Sequence, residues 1–264
     1  VCPQKAKTVV NDPARVLDML EDPAARVVAS LAPSYVGVYG ESNRGRLISA
    51  LLKLGFDDVE ETAVGAHEVS QSYKRLMEQG QMETILSTCC PTVNMLITKY
   101  FPDLTKTMAP VVSPVLAHGR IIKQRDGADT RVVFIGPCLS KIKEIDEHPE
   151  SADAVLSFRM LDQLLERHGI CLDELEDMEM SVASPYSRIY PVPEGIVRDI
   201  GSISGDVKKE TDGTYCGYRF ISVCGLDNVK QFLTELEAGG CGRLFAGQRL
   251  ALRAAGMVFP APTG

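Results

Sequence analysis

Short apolar runs alternate with segments of helical period along most of this chain, and this alternation limits the fold more than any other feature. Residues 26–31 read as a buried strand closed by Ala32-Pro33. Arg44–Leu54 sets Leu47, Leu51 and Leu54 on one helical face and stops at Gly55. Residues 56–62 read as a second strand, and residues 66–79 as a helix ended by Gly80. The pattern continues with strands at 83–86, 108–112, 131–135, 154–156 and 218–223. Helices are expected at 91–100, 114–123, 139–145, 158–168 and 226–236. Strands that alternate with helices build largely parallel sheets with helices outside. The expectation is therefore an α/β fold in two lobes, each a mostly parallel sheet flanked by helices. The polar, turn-rich stretch 124–129 marks the split, with lobe 1 at 26–124 and lobe 2 at 130–238. Residues 172–217, rich in Pro, Ser and Gly, read as an inserted loop.

Length and composition narrow the function classes. The 264 residues are 45% hydrophobic and 24% charged, enough for a sizeable core and unlike a disordered chain. A net charge of −7, without a Lys/Arg block, argues against a nucleic-acid partner and against an anionic membrane surface. No apolar run is long enough to span a bilayer, and the N-terminus lacks the apolar core of a signal peptide. A cytoplasmic location is the expectation. A first residue of Val is read as a chain that begins inside a longer protein.

Eight cysteines in a chain with that much core are not needed as disulfide staples and point to metal or redox chemistry. Two of them close strand–turn–helix junctions, Thr84-Ile-Leu-Ser-Thr-Cys-Cys-Pro91 and Val132-Val-Phe-Ile-Gly-Pro-Cys138. In parallel α/β folds ligands gather at the carboxyl ends of strands, where helix N-termini offer free N–H groups and partial positive charge. Such surroundings favour thiolate, the metal-binding form. The plainer alternative makes Cys90 and Cys138 small buried hydrophobes. His67, His118, His148 and His168 are scattered without a metal-binding spacing and read as structural or solvated. Cys171, Cys216 and Cys224 lack ligand spacing, and Gly37 to Gly45 form no phosphate-binding loop.

Ser87-Thr-Cys-Cys-Pro91 resembles the first of three signatures around the active-site H-cluster of iron-only (FeFe) hydrogenases. Gly136-Pro-Cys-Leu-Ser-Lys141 with Glu144 resembles the second. Ser113-Pro114 with Gly119 and Ile121-Ile-Lys123, and Leu31-Ala-Pro-Ser34, are similar to two further segments of that family. Cys2-Pro3 is similar to the last cysteine of a bacterial ferredoxin run, so residues 1–25 are expected to be a ferredoxin-like remnant and linker.

The resemblance implies roles. Cys90 and Cys138 would ligate the 4Fe–4S part of the cluster, and Cys89 would stand beside the diiron subcluster as proton donor. Lys141 would hydrogen-bond a cyanide ligand, and Ala32, Pro33, Ser34, Ser113 and Pro114 would line the pocket, supported by Glu144. Dihydrogen and protons would be the reactants in the intact parent. Upstream ferredoxin-type clusters of the same parent would carry electrons, and signalling domains could accompany it.

The sequence also departs from the family. Val93 stands where an aromatic usually follows CCP, Gly136 where a Met usually precedes PC, and Ala109 where a proton-relay Ser is usual. These departures resemble the sensory branch. The GGC-containing third signature is met only by Cys241 within Gly239–Gly247, so residues 239–264 are expected to be a divergent or truncated tail. The chain alone is then expected to hold no complete cluster. A non-enzymatic hydrogenase-like iron–sulfur protein, or an inert fragment, is the competing expectation.

Overall fold

The computed structural model describes residues 13–178, 187–192, 194–203, 214–239 and 244–249. Cys2 and Cys241 lie outside them. The elements in chain order are α1 (Pro13–Glu21), β1 (Val27–Leu31), α2 (Val36–Tyr39), α3 (Arg44–Leu54), β2 (Asp58–Glu61), α4 (Ala63–Gln79), β3 (Thr84–Leu86) and α5 (Pro91–Tyr100). They continue with α6 (Pro114–Asp126), β4 (Arg131–Ile135), α7 (Ser140–Glu147), β5 (Ala154–Leu156), α8 (Phe158–Arg167), α9 (Gly195–Ile203), β6 (Thr214–Tyr215), β7 (Tyr218–Cys224), α10 (Leu226–Gly239) and β8 (Leu244–Arg249).

These strands make two four-stranded sheets, β2-β1-β4-β5 and β3-β8-β7-β6. Every pair is parallel except the short β6–β7 hairpin. Three strands of the first sheet, β1, β4 and β5, read as near-continuous apolar runs because they are covered on both faces, while the edge strand β2 alternates. All five residues of β1 are buried, as are Val132 to Ile135 and all of β5. Gly55 and Gly80 end α3 and α4 in left-handed backbone, as their placement after the last apolar position implied. Pro91 and Pro114 occupy the first turns of α5 and α6.

Several local expectations are corrected. The two sheets do not follow one another along the chain. β4, beyond the expected split at 124–130, pairs with β1, while β3 joins β8 and β7. The lobes at 26–124 and 130–238 therefore interleave, and α6 runs through the expected boundary to Asp126. Residues 108–112 form no strand among the described residues. Met108 makes one isolated bridge to Leu86, and Pro110 lacks the N–H a ladder would need. The span 172–217, expected as a loop, contains α9. The tail contributes β8, whose Leu244, Phe245 and Ala246 are fully buried in the middle of the second sheet.

Close helix contacts set the geometry of the first sheet's outer layer. A methyl group on Gly65 of α4 would sit 2.2 Å from the Pro114 carbonyl oxygen and 2.7 Å from His118 Cβ. α4 and α6 therefore cross backbone to side chain, and His118 is pressed under the start of α4.

Candidate functional site

The carboxyl ends of both sheets open onto one cavity of about 220 Å³. From the first sheet come Ala32, Pro33 and Ser34 after β1, Thr62 after β2, and Phe134, Pro137 and Cys138 around the end of β4. From the second come Cys89, Cys90 and Pro91 after β3, Ser222 of β7 and Gly247 of β8. Pro114 of α6, Lys141 of α7, and residues 190–192 and 194–197 add further wall. Parallel strands put their carboxyl ends on the same side, which brings residues so far apart in sequence to one place.

Of the residues singled out from the sequence, Ala32, Pro33, Ser34, Cys89, Cys90, Pro114, Cys138 and Lys141 line this cavity. Ser113 and Glu144 stand behind the wall. Ser113 Oγ donates to Glu144 Oε2 at 2.8 Å, and Lys141 Nζ donates to the same oxygen at 2.6 Å. Lys141 Nζ also donates to the Cys89 carbonyl at 3.3 Å. Both Lys141 and Glu144 are buried, so the pair holds an ammonium group in a fixed orientation at the cavity rather than in solvent. Thr92 Oγ1 and Ser140 Oγ, 2.6 Å apart, tie the first turns of α5 and α7 together, and with them the two cysteine junctions.

The thiols differ in surroundings. Cys89 keeps some exposure to the cavity, yet its packing strips the sulfur of solvent and pushes its pKa up to about 11. The Tyr73 hydroxyl and the Lys141 charge pull it back. Tyr73 Oη lies 3.4 Å from Cys89 Sγ, and it accepts from the Thr88 N–H at 2.9 Å. That hydroxyl is held by the packing of Tyr73 edge-on against Phe245, ring centres 5.3 Å apart. Desolvation also raises the Cys138 thiol, against the pull of Lys141, and Cys90 is close enough to raise it further. Cys171, Cys216 and Cys224 are exposed and lie off the cavity wall.

Sequence reasoning missed the segment that closes the far wall. Tyr190 Oη and Ser70 Oγ lie 3.0 Å apart, and Ser70 gives its one hydroxyl proton to buried Asp199 Oδ2 at 2.5 Å. Burial raises the Asp199 carboxyl, while Ser70 and Ser187 lower it. Arg188 anchors the segment to the first sheet by a two-pronged pair with Glu61, each N–O contact 2.5 Å. Glu61 is fully buried and Arg188 largely so. No local pattern announces the pairing of Ser70 with Tyr190 and Asp199 or of Arg188 with Glu61, each more than 100 residues apart.

An anionic iron–sulfur cluster suits this donor set, with thiols contributed from both sheets, a buried ammonium on the same cavity and mostly apolar lining elsewhere. Among the described residues, no three His, Cys, Asp or Glu side chains converge as a metal site on their own. Cys90 and Cys138 bring two thiols to the cavity, fewer than the four a cubane takes. On the remaining wall, Gly247 stands at the cavity end of β8, and the nearest atom to a Cβ placed there would be the Ile221 carbonyl oxygen at 3.9 Å. Phe134 fills the space beside Gly136. A Cβ on Gly136 would lie 2.7 Å from that ring and 2.9 Å from Ala32 Cβ.

Residues 25–245 match the family described as iron only hydrogenase large subunit, C-terminal domain. The chain is 25% identical over 253 residues to iron hydrogenase 1 of Clostridium pasteurianum, covering 84% of this chain and 44% of that protein. It is 25% identical over 242 residues to the periplasmic [Fe] hydrogenase large subunit of Nitratidesulfovibrio vulgaris, covering 83% of this chain and 56% of that one. The chain thus spans about half the length of these curated relatives. A solved [FeFe]-hydrogenase structure, described by oxygen-driven degradation of its H cluster 2Fe subcluster, aligns with a TM-score of 0.67 at 17% identity. That alignment covers 96% of this chain and 86% of the other, and supports the two-sheet fold. No described helix is long and apolar enough to cross a membrane.

Proposed function

This chain belongs to the family formed by the C-terminal domain of the iron-only hydrogenase large subunit, and from that premise we propose that its cavity receives an H-cluster and that dihydrogen and protons are its reactants. The observation that carries the reading is the meeting of Cys89, Cys90, Cys138 and Lys141 on one wall system. When bound, such a cluster supplies the iron chemistry that interconverts dihydrogen with protons and electrons.

The chain's own residues have separable tasks. Cys90 and Cys138 would hold the 4Fe–4S part as thiolates. Desolvation holds the Cys138 proton on in the metal-free chain, so loading at that site releases a proton. Lys141, steered by Glu144 and the Cys89 carbonyl, presents positive charge to anionic ligands. Cys89, whose thiol burial pushes up to about 11, keeps its proton at neutral pH with Tyr73 Oη 3.4 Å from Sγ, a state from which the sulfur can donate. Ala32, Pro33, Pro114 and Phe134 exclude water from the reacting side.

We read the domain as a sensor or slow catalyst within a longer parent. Ala109 offers no hydroxyl where the family's relay serine is usual, and a missing positioned acid–base group costs about 10²–10⁴-fold in rate. Anaerobic reconstitution with iron and sulfide, followed by maturation with a diiron precursor, tests both levels. Iron bound by the chain and lost in Cys90→Ser and Cys138→Ser supports the cluster site. Infrared bands that respond to dihydrogen while hydrogen evolution stays low support sensing. Fast evolution unaffected by Ala109→Ser would refute the slow-relay reading. Iron binding with no dihydrogen response would favour a non-enzymatic iron–sulfur role.

A further inference from the structure

Thr62 is a polar wall residue of the cavity that the cluster reading leaves without a task. Its Oγ1 lies 2.8 Å from Ser30 Oγ, and Ser30 Oγ lies 2.8 Å from His118 Nδ1. His118 Nε2 in turn reaches Glu60 Oε2 at 3.4 Å. Ser30 and His118 are fully buried, while the Glu60 side chain keeps 13% exposure. Four groups from β1, β2, α4's threshold and α6 therefore form an unbroken polar line from cavity to surface.

We propose that Thr62, Ser30, His118 and Glu60 form a proton wire between the cavity and solvent. The proposal rests on the cavity being a site of proton chemistry, as read above.

The donors have one consistent polarity. An ionised carboxylate only accepts, so a bond to Glu60 requires the proton on Nε2. Nδ1 is then an acceptor for the Ser30 hydroxyl, and Ser30 oxygen accepts from Thr62. A proton arriving from the cavity binds Thr62 Oγ1 as that hydroxyl gives its own proton to Ser30. Ser30 passes its proton to Nδ1, and the Nε2 proton leaves to Glu60 and then to water. Each O–H or N–H bond broken is matched by one formed, and no electrons are exchanged. The charged groups around the outer end are Glu60 and Arg125, whose Nη2 donates to Glu60 Oε1 at 2.6 Å, with Asp126 and Arg26 beyond. The bond from His118, opposed by desolvation and aided by Arg125, holds the Glu60 carboxyl down at about 2. A proton reaching Glu60 is thus handed on rather than trapped. Close packing of Gly65 on the His118 backbone N and Cβ holds His118 in place.

The test uses the full chain without any cluster, so its outcome is independent of cluster loading. In equimolar H₂O and D₂O, fast hydroxyl exchange gives one averaged Cβ carbon signal at Thr62 and at Ser30, and slow exchange gives two. One signal is expected in the native chain, with ring ¹⁵N shifts showing the Nε2–H tautomer. His118→Gln keeps hydrogen-bonding ability but cannot relay, and should slow exchange by about 10²–10⁴-fold, giving two signals. Glu60→Gln, at a partly exposed position, should slow it too and decides the matter if the buried substitution fails to fold. Two signals in the native chain, the Nδ1–H tautomer, or averaged signals persisting in folded variants would overturn the wire. In a loaded parent, His118→Gln should lower proton-limited turnover with iron content unchanged.

Discussion

Removing Arg188 should unlatch the far wall of the cavity. Its guanidinium meets Glu61 through two contacts of 2.5 Å, and Glu61 has no exposure of its own. At that separation and an effective dielectric of about 20, the attraction is roughly 6–7 kcal/mol. Part of it is offset because Arg188 is 20% exposed and water can reach the vacated space. Glu61 also retains a long bond from the Tyr35 hydroxyl at 3.4 Å. Stranding one partner of a buried pair costs about 3–5 kcal/mol, and Arg188→Met should fall toward the lower end of that range. Against a typical domain stability of about 5–15 kcal/mol, this is a large fraction. Urea unfolding followed by circular dichroism measures it as a lower midpoint. The double variant Glu61→Gln/Arg188→Met should regain most of the loss, because no charge is then left buried. A single-variant loss below about 1 kcal/mol, or a double variant no better than the single, would refute the latch. Hydrogen exchange at residues 187–192 should accelerate in Arg188→Met more than at β1 or β4.

Three further outcomes follow from the same geometry. Gly247→Cys places a thiol at the open cavity end of β8 and should raise the iron retained after reconstitution; unchanged iron would show that this strand end does not face Cys90 and Cys138 as described. Gly136→Met should destabilise by about 1–3 kcal/mol through overpacking against Phe134, and Phe134→Ala should recover part of that loss in the double variant. Additive losses in a urea titration would argue against the clash. Glu60 and Asp126 both have carboxyl groups held down at about 2, mainly by the bonds from His118 and Arg125 respectively. Groups depressed on folding lend stability that is present above their unfolded values near 4 and is lost as pH falls toward 2. Acid titration of unfolding should show that slope, flattened in Glu60→Gln; an unchanged slope would remove Glu60 from the argument.

What could be read from the sequence was what is local. Pro91 after Cys90 marks both a helix start and a strand-end cysteine, and α5 begins at that residue. The same logic placed Cys138 between β4 and α7. Strand order is a different kind of information. Nothing within residues 131–135 says that they lie beside 27–31 rather than 84–86, because both neighbours offer the same apolar face. β8 escaped notice because Leu244-Phe-Ala-Gly-Gln-Arg249 has a short apolar run without clear alternation, and its burial comes from β3 and β7 on either side. The run near Met108 misled for the opposite reason, since its apolar content suits a strand but Pro110 cannot donate to one. Tyr190, Asp199 and the Glu61–Arg188 pair were invisible for want of any short-range signature.

The position of β8 also sets an order of assembly. The first sheet has all four strands once residue 156 has been made, so it can form early from a ribosome-bound chain. The second cannot, because the strand that joins β3 to β7 is residues 244–249. Until then β3 has its bridge to Met108 but no ladder partner, and β7 carries only the short β6 hairpin. Such long-range pairing is slow and leaves strand edges open. Cys89 and Cys90, at the end of β3, would spend that interval on an unfinished half-sheet while Cys138 already sits on a finished one. Closure of β8 is then the step that presents the three thiols together, and a cluster supplied before it would meet only half of its pocket.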